Sequence, residues 1–198
     1  EYRWQTKQRI GGFRPDRPQA EFFTGQAMRA NKWDPSKNQI KEWPVWVQPK
    51  YDGLRCLAYL DEEGNTILRT RGNKKINHLH DIREHANLAL VQLQHLSGDD
   101  LVILDGEIFS WDLDFEKIDG LVMKKGKDQA FEEESRLSFY LFDCNTQTVR
   151  TYKERYSLLK RACKDIDYLE VAPTYLAENK KDVIDACHRF KESGYEGA

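Results

Sequence analysis

Lys50 is the residue whose position in the sequence most strongly suggests chemistry. It follows the apolar run Val45–Val47 and precedes a turn at Asp52-Gly53, and the cation Arg55 lies five positions further on. A lysine amine becomes a nucleophile only when burial or neighbouring cations lower its pKa, because an ammonium ion has no free electron pair. From these neighbours alone, Lys50 is either an ordinary surface charge or a nucleophile.

Further along the chain, several side chains suit a phosphate or nucleotide ligand. Arginine guanidinium groups match phosphate oxygens in bidentate geometry, which makes Arg55 and Arg71 candidate phosphate ligands. Asp105 and Glu107 follow an apolar run, and Phe142 lies within another. Each has a plain alternative, since carboxylates and arginines commonly end strands and an aromatic ring in an apolar run is usually core. Asp105 in particular could be structural.

Hydrophobic patterning predicts the elements that position these residues. The predicted strands are Val45–Val47, Leu57–Leu60, Thr66–Arg71, Leu101–Leu104 running into Asp105–Phe109, Leu137–Asp143 and Leu169–Ala172. The predicted helices are His80–Leu96, Phe115–Val122, Tyr152–Cys163 and Val183–Phe190. The first two strands would form a hairpin with Lys50 at the mouth of its loop, and an antiparallel meander would continue to Arg71. This mixture predicts an α+β fold with mainly antiparallel sheets and flanking helices.

Charge limits the classes of function. The 198 residues carry a formal net charge of −2, which argues against a protein that coats nucleic acid but not against an enzyme that grips it with one face. The first 33 residues are an exception, with seven Lys/Arg against three Asp/Glu. This segment could contact phosphates or could be a loosely ordered arm. The basic run Lys124–Lys127 also has two interpretations: it could contact the DNA backbone, or it could be a solvated surface.

Cysteine usage and hydropathy point to a soluble intracellular protein. The four cysteines are widely spaced without a C-x-x-C pair, which predicts buried thiols in a reducing compartment. No apolar run approaches the ~18 residues of a membrane span, and no signal peptide is visible. Because the sequence opens on Glu1 and stops at Ala198, we expect a fragment of a longer protein.

The stretch Lys50-Tyr51-Asp52-Gly53-Leu54-Arg55 resembles the K-x-D-G-x-R motif of ATP-dependent DNA ligases, members of the covalent nucleotidyltransferase superfamily. Other motifs of that family follow in the family's order: Thr70-Arg71-Gly72, Leu104–Phe109 with its D-G-E, Phe139–Asp143, Tyr152–Tyr156 and Glu196-Gly197. A single motif could arise by chance, but ordered matches over positions 48–198 could not. The resemblance implies the ATP-grasp-like nucleotidyltransferase domain of DNA ligases.

The resemblance also implies catalytic roles. Lys50 would attack the α-phosphate of ATP, release pyrophosphate and carry AMP as a phosphoramide. Arg55 and Arg71 would hold phosphate or ribose and later the 5′-phosphate of the DNA. Asp52 joins Lys50 and Arg55 as an expected catalytic residue.

Four residues would bind the nucleotide and its metal. Glu107 would bind the ribose hydroxyl or help to place a metal, and Glu196 would position Mg²⁺ near the phosphate. Phe142 would stack on adenine, because a purine face suits an aromatic ring. Gln48 would contact the adenine edge, although several ligases carry Glu at that position.

The implied protein is a DNA ligase that uses ATP and Mg²⁺ to seal nicked duplex DNA, as a monomer without membrane attachment. Residues 41–198 would form its adenylation domain, preceded by a basic segment over residues 1–40. The family's fifth motif and its OB-fold domain do not occur in the sequence, so we expect a domain cut before its last motif.

Two alternatives remain. One is an RNA ligase or an mRNA-capping guanylyltransferase, which share the lysine motif and the fold. The other is a non-catalytic nucleic-acid-binding module derived from a ligase. Arg55 favours a DNA ligase over the first alternative, and the joint presence of Lys50, Glu107 and Glu196 argues against the second.

Overall fold

The computed structural model describes residues 32–37, 39–123 and 131–198. Most of the basic segment 1–40, and the run Lys124–Lys127, lie outside the described residues. The described residues fall into two units: a small unit of residues 32–52 and 172–198, and a large unit of residues 53–171. The chain therefore leaves the small unit within the K-x-D-G-x-R motif, between Asp52 and Gly53.

The described chain begins with four strands, and helices lie between or after most of the later ones. The strands are β1 (Val45–Val47), β2 (Leu54–Leu60), β3 (Thr66–Thr70), β4 (Lys75–Ile76), β5 (Val102–Phe109), β6 (Ser138–Thr146), β7 (Leu169–Val171) and β8 (Tyr175–Ala177). The helices are α1 (His80–Ser97), α2 (Phe115–Met123), α3 (Phe131–Glu134), α4 (Tyr152–Ala162) and α5 (Lys180–Glu192).

The large unit is built on a six-stranded sheet with the order β4-β3-β2-β5-β6-β7. Neighbouring strands are antiparallel except β6 and β7, which are parallel. Helix α1 packs on strands β2, β3 and β5 with its apolar face. The buried residues of that face follow helical spacing: Ile82, Ala86, Ala89, Leu90 and Leu93. The predicted α+β class and the mainly antiparallel pairing are confirmed.

Strand β6 contains a β-bulge opposite β5. Asp105 pairs with Asp143, whereas the next residue, Gly106, pairs with Leu141. Phe142 is therefore the extra residue of the bulge. A bulge bends its strand and re-aims the side chains around it, and bulges are common beside functional sites.

The small unit consists of an antiparallel pair, β1 with β8, and helix α5. Asn179 caps α5, because its side-chain oxygen accepts hydrogen bonds from the backbone amides of Lys181 and Asp182. The core of this unit joins the two strands to one face of the helix through Val47, Ala177, Val183, Ala186 and Phe190.

The predicted hairpin between the first two strands is wrong. β1 pairs with β8, and β2 pairs with β3 and β5. Consecutive strands usually pair, which is why the sequence favoured a hairpin, but here the chain passes from one unit to the other between them. The short elements β4, β8 and α3 were not predicted. Among the described residues, no helix is long and apolar enough to cross a bilayer.

All four cysteines are free thiols within the described part of the chain. Cys56, Cys144 and Cys163 are buried, as predicted, whereas Cys187 is only partly buried. Burial raises the pKa of the Cys163 thiol to about 12 and raises those of Cys56 and Cys144 as well. These three residues therefore serve as small core side chains.

Candidate active site

Lys50 lies in the small unit directly opposite the last motif of the sequence. Its backbone amide donates a hydrogen bond to the Gly197 carbonyl (2.9 Å), and the Glu196 amide donates to the Lys50 carbonyl (3.0 Å). The Lys50 ammonium group donates a hydrogen bond to the Glu196 carboxylate in an ion pair. The two side chains are 51% and 48% exposed, so both remain accessible to a ligand.

Two other predicted site residues belong to the same unit. Gln48 is partly buried, and its side-chain amide donates a hydrogen bond to the Thr174 hydroxyl (2.9 Å). Asp52 is exposed in the bend that follows Lys50. The predicted adenine contact of Gln48 and the catalytic role of Asp52 stay predictions.

The glycine of the lysine motif is required by close packing within the large unit. A Cβ atom on Gly53 would lie 2.3 Å from the carbonyl oxygen of Ile108 in β5 and 3.0 Å from the side chain of Glu107. Real Cβ contacts do not come this close, so a larger residue would push β5 away. The glycine thus lets the backbone of the motif lie directly against the strand that carries Glu107.

Arg55 is fixed by a bidentate ion pair. Its Nε donates to one oxygen of Asp105 (2.5 Å) and a terminal nitrogen donates to the other (2.7 Å). Burial lowers the pKa of Arg55, but the charge and hydrogen bonds of Asp105, with smaller effects of Glu107 and Asp143, raise it above its usual value. Asp105 therefore fixes the orientation of the Arg55 guanidinium group.

The guanidinium carbon of Arg55 lies 4.4 Å from the centre of the Phe142 ring, in cation–π geometry. Phe142 is the residue of β6 that has no partner in β5, and a bulge changes the direction of the side chains around it. The side chain is partly buried rather than a plain core residue. Glu107 lies directly opposite Arg55 in the register of β2 and β5 and is also partly buried.

Arg71 is exposed in the turn that follows β3 and makes no ion pair with another described residue. Backbone bonds hold the turn, since the Asn73 amide donates to the Thr70 carbonyl (2.9 Å). Within the large unit, the structure thus groups Arg55, Glu107 and Phe142 around adjacent strands and leaves Arg71 at a loop.

A second bidentate pair was not predicted. Arg155 on α4 donates through Nε (2.9 Å) and a terminal nitrogen (2.7 Å) to the two oxygens of Asp143, and both side chains are buried. A capping box of Thr151 and Glu154 fixes the start of this helix. The sequence did contain a signal: Arg155 lies on the same helical face as the apolar Leu158, Leu159 and Ala162, and a buried arginine needs an anionic partner.

Solved ligase structures share this fold. A bacteriophage T7 ATP-dependent DNA ligase in complex with ATP is 20% identical with a TM-score of 0.56, and the match covers 77% of this chain and 55% of the phage enzyme. A Chlorella virus DNA ligase-adenylate is 17% identical with a TM-score of 0.57, covering 85% and 55% of the two chains. At these identities the likeness is one of fold alone.

The sequence profile of the ATP-dependent DNA ligase domain matches residues 27–198, which is most of the chain. The chain belongs to this family. Among curated proteins, a DNA ligase of African swine fever virus (isolate Pretoriuskop) is 29% identical over 157 residues. That match covers 77% of this chain and 35% of the viral protein, so the chain spans about a third of its relative.

Proposed function

We propose that the protein is an ATP-dependent DNA ligase that adenylates itself on Lys50, transfers AMP to the 5′-phosphate of a nick, and joins that phosphate to the 3′-hydroxyl. Family membership and the ordered motifs support this proposal. The Lys50–Glu196 ion pair carries it, because it brings the amine of the first motif and the carboxylate of the last one together in an accessible place.

The pair also indicates what the first reaction requires. An ammonium ion has no free electron pair, so Lys50 has to attack as the neutral amine. The nitrogen then forms a bond to the α-phosphorus of ATP while the bond from that phosphorus to the pyrophosphate oxygen breaks. Counted from the ammonium ion, the products are a lysine phosphoramide carrying AMP, pyrophosphate and two protons, one lost before the attack and one lost as the P–N bond forms.

The large unit would recognise the nucleotide. Arg55 would lie near phosphate or ribose, with its orientation set by Asp105, and the exposed Arg71 would reach phosphate oxygens from its turn. Phe142 has Arg55 over its ring, so adenine would stack on the opposite face. Glu107 would accept a hydrogen bond from a ribose hydroxyl.

Mg²⁺ fits the donors that the chain offers. The described residues contain no group of three or more His, Cys, Asp and Glu side chains that could enclose a metal ion. Magnesium is commonly held by one or two carboxylates together with waters and substrate phosphates, and the exposed Glu196 carboxylate suits that role. The metal would neutralise charge on the phosphates.

Incubation of the full-length protein with Mg²⁺ and α-labelled ATP, GTP or NAD tests the proposal. We expect label from ATP alone, and it should stay on the protein after denaturation at neutral or alkaline pH, because the P–N bond of a phosphoramide is cleaved in acid. The label should be absent in Lys50→Ala and in Lys50→Arg, the latter because it keeps the positive charge but removes the amine nucleophile. The matched control is Lys153→Ala, which changes an exposed lysine of α4 and should label as the unmodified protein does.

Labelling from GTP alone would instead identify a capping guanylyltransferase, and no labelling from any donor would favour a binding module. A second assay compares nicked duplexes made of DNA or RNA strands. Sealing of the DNA nick is expected, and sealing of RNA alone would contradict the proposed substrate.

A further inference from the structure

The residues adjacent to Lys50 and Glu196 are both tyrosines, and their rings meet. Tyr51 follows Lys50 and Tyr195 precedes Glu196 in the sequence. The two ring centres are 5.2 Å apart and the ring planes make an angle of 83°, an edge-to-face contact. Tyr51 is only 5% exposed, whereas the side chains of the neighbouring Lys50–Glu196 ion pair are about half exposed. The ring contact is therefore more buried than the ion pair beside it.

Among the described residues, the backbone pairing that aligns Lys50 with Glu196 is short. Lys50 and Gly197 form an isolated bridge outside the named strands, and the two backbone hydrogen bonds around it define the register but do not continue into a ladder. The Lys50 and Glu196 side chains are long and half exposed, so they have rotational freedom of their own. A rigid aromatic contact beside the bridge would limit how far the two segments can shift.

Tyr195 is in turn anchored to the end of α5. Its backbone amide donates to the Phe190 carbonyl (3.0 Å), and its ring lies 5.9 Å from the Phe190 ring. Gly194 makes this return possible, because its φ of 88° lies in the left-handed region. Phe190 is buried in the core of the small unit. A continuous series of packed rings therefore connects the helix to the segment that carries Lys50.

We propose that Tyr195 is a positioning residue: its ring, held between Tyr51 and Phe190, sets the Glu196 carboxylate opposite the Lys50 amine for formation of the lysine–AMP bond. The inference rests on the proposed function. In this role Tyr195 acts on the reaction through Glu196. Removal of the ring should therefore slow the covalent step and leave the affinity for ATP almost unchanged.

The test measures lysine–AMP formation by the full-length protein in single-turnover reactions over a range of ATP concentrations. In Tyr195→Leu we expect the maximal rate to fall on the order of tenfold to a hundredfold, as a displacement of about 1 Å can cause. The ATP concentration at half-maximal rate should change less than about twofold, since the nucleotide-binding side chains proposed in the large unit are unchanged. Tyr195→Phe keeps the ring and should restore the rate.

Tyr175→Leu is the matched control. Tyr175 also lies against Phe190 (5.7 Å between ring centres), but from β8 rather than from the segment beside Glu196. A general loosening of the core would affect both leucine variants alike, whereas positioning of Glu196 would affect only Tyr195→Leu. An equal fall in rate in the two variants, or a wild-type rate in Tyr195→Leu, would overturn the inference.

Tyr51→Leu provides a second route if Tyr195→Leu does not fold. It removes the other ring of the contact and should slow the reaction to a similar extent. The double variant should be little slower than either single one, because the pair acts as a unit. A wild-type rate in Tyr51→Leu would contradict the inference. Failure of the unmodified protein to label with ATP would instead reject the proposed function itself, so the two failures are distinguishable.

Discussion

Asp105 and Asp143 face each other across β5 and β6, and each has its own arginine. Like charges directly opposite in a sheet are destabilising, and here the bidentate pairs with Arg55 and Arg155 neutralise them. In our proposal, Arg55 therefore both stabilises the sheet and binds the nucleotide. A substitution of Arg55 would lower both stability and activity, and its kinetic effect has to be measured under conditions in which the protein stays folded.

Arg155→Met should lower the free energy of unfolding by about 3–5 kcal/mol, because it leaves the fully buried Asp143 without its partner. Burial raises the pKa of the Asp143 carboxyl, and Arg155 opposes that rise. In the variant the pKa should rise further, and protonation removes the unpaired charge. The destabilisation should therefore shrink as the pH falls through that pKa. Urea unfolding at several pH values measures both effects.

The double variant Arg155→Met with Asp143→Leu should recover most of the stability, since it removes both charges at once. Lys153→Met, an exposed change on the same helix, should alter the free energy of unfolding by less than about 0.5 kcal/mol. An Arg155→Met protein as stable as the Lys153→Met protein would show that Asp143 does not depend on this pair.

Strands β5 and β6 can approach as they do because of Gly106, the glycine of the D-G-E motif. A Cβ atom there would lie 2.3 Å from the Tyr140 carbonyl oxygen and 2.9 Å from the Phe139 ring. This close approach lies directly beside the bulge that presents Phe142. The motif glycine thus controls the distance between the strand that carries Glu107 and the strand that carries Phe142.

Gly106→Ala should destabilise the protein by about 1–3 kcal/mol, the usual result of forcing an extra carbon into a packed site. Gly120→Ala is the matched control, because Gly120 lies inside α2 and a Cβ atom there would meet nothing within 4 Å. It should stabilise the protein by about 0.5–1 kcal/mol, as alanine is the better helix former. Urea unfolding distinguishes the two, and equal effects would contradict the close approach in the sheet.

The sequence predicted most of the long elements, and it failed where a pattern was too short or a partner too distant. Helix α1 and strand β5 have enough apolar residues to show their period. The two residues of β4 and the three of β8 do not. β1 was recognised, but its partner β8 was not, because nothing local in a strand identifies a partner so far along the chain.

In the candidate site, too, local patterns were predicted and distant partners were not. The motifs identified the residue types, and the structure supplied partners such as Asp105 for Arg55 and Glu196 for Lys50. Neither Arg155 nor Tyr195 was singled out in the sequence. Their importance comes from packing against a buried carboxylate and against another ring, and single-sequence patterns carry little information on such contacts.

For the whole molecule, a net charge of −2 provides little attraction to DNA, and the basic residues of the first 33 positions are a proposed source of it. Replacing Arg3, Arg9 and Arg14 together by Gln should weaken binding to a nicked duplex. The slope of log K against log salt should become less negative by up to about 0.9 for each DNA phosphate that the variant no longer neutralises. Lysine–AMP formation should be unchanged, because it needs no DNA.

The control replaces three exposed lysines in or next to the helices, Lys153, Lys164 and Lys180, by Gln. It removes the same amount of charge, so a general electrostatic effect would change the salt slope equally in the two proteins. An equal change would contradict a specific contribution of the N-terminal segment. The salt slope comes from DNA binding measured at several salt concentrations. Lysine–AMP formation comes from the transfer of label from ATP to the protein.

Among the described residues, the large unit is continuous along the chain and the small unit is discontinuous, and this difference has a consequence for biosynthesis. Residues 53–171 contain every strand of the large sheet, so this unit can fold as soon as they have left the ribosome. Lys50 is synthesised earlier, but its contact with Glu196 spans 146 positions. Contacts of such separation form late, because a long loop has to close first. We therefore expect the nucleophile to acquire its carboxylate partner only near the end of translation of this region, so that a nascent chain carries a lysine that is not yet set for reaction with ATP.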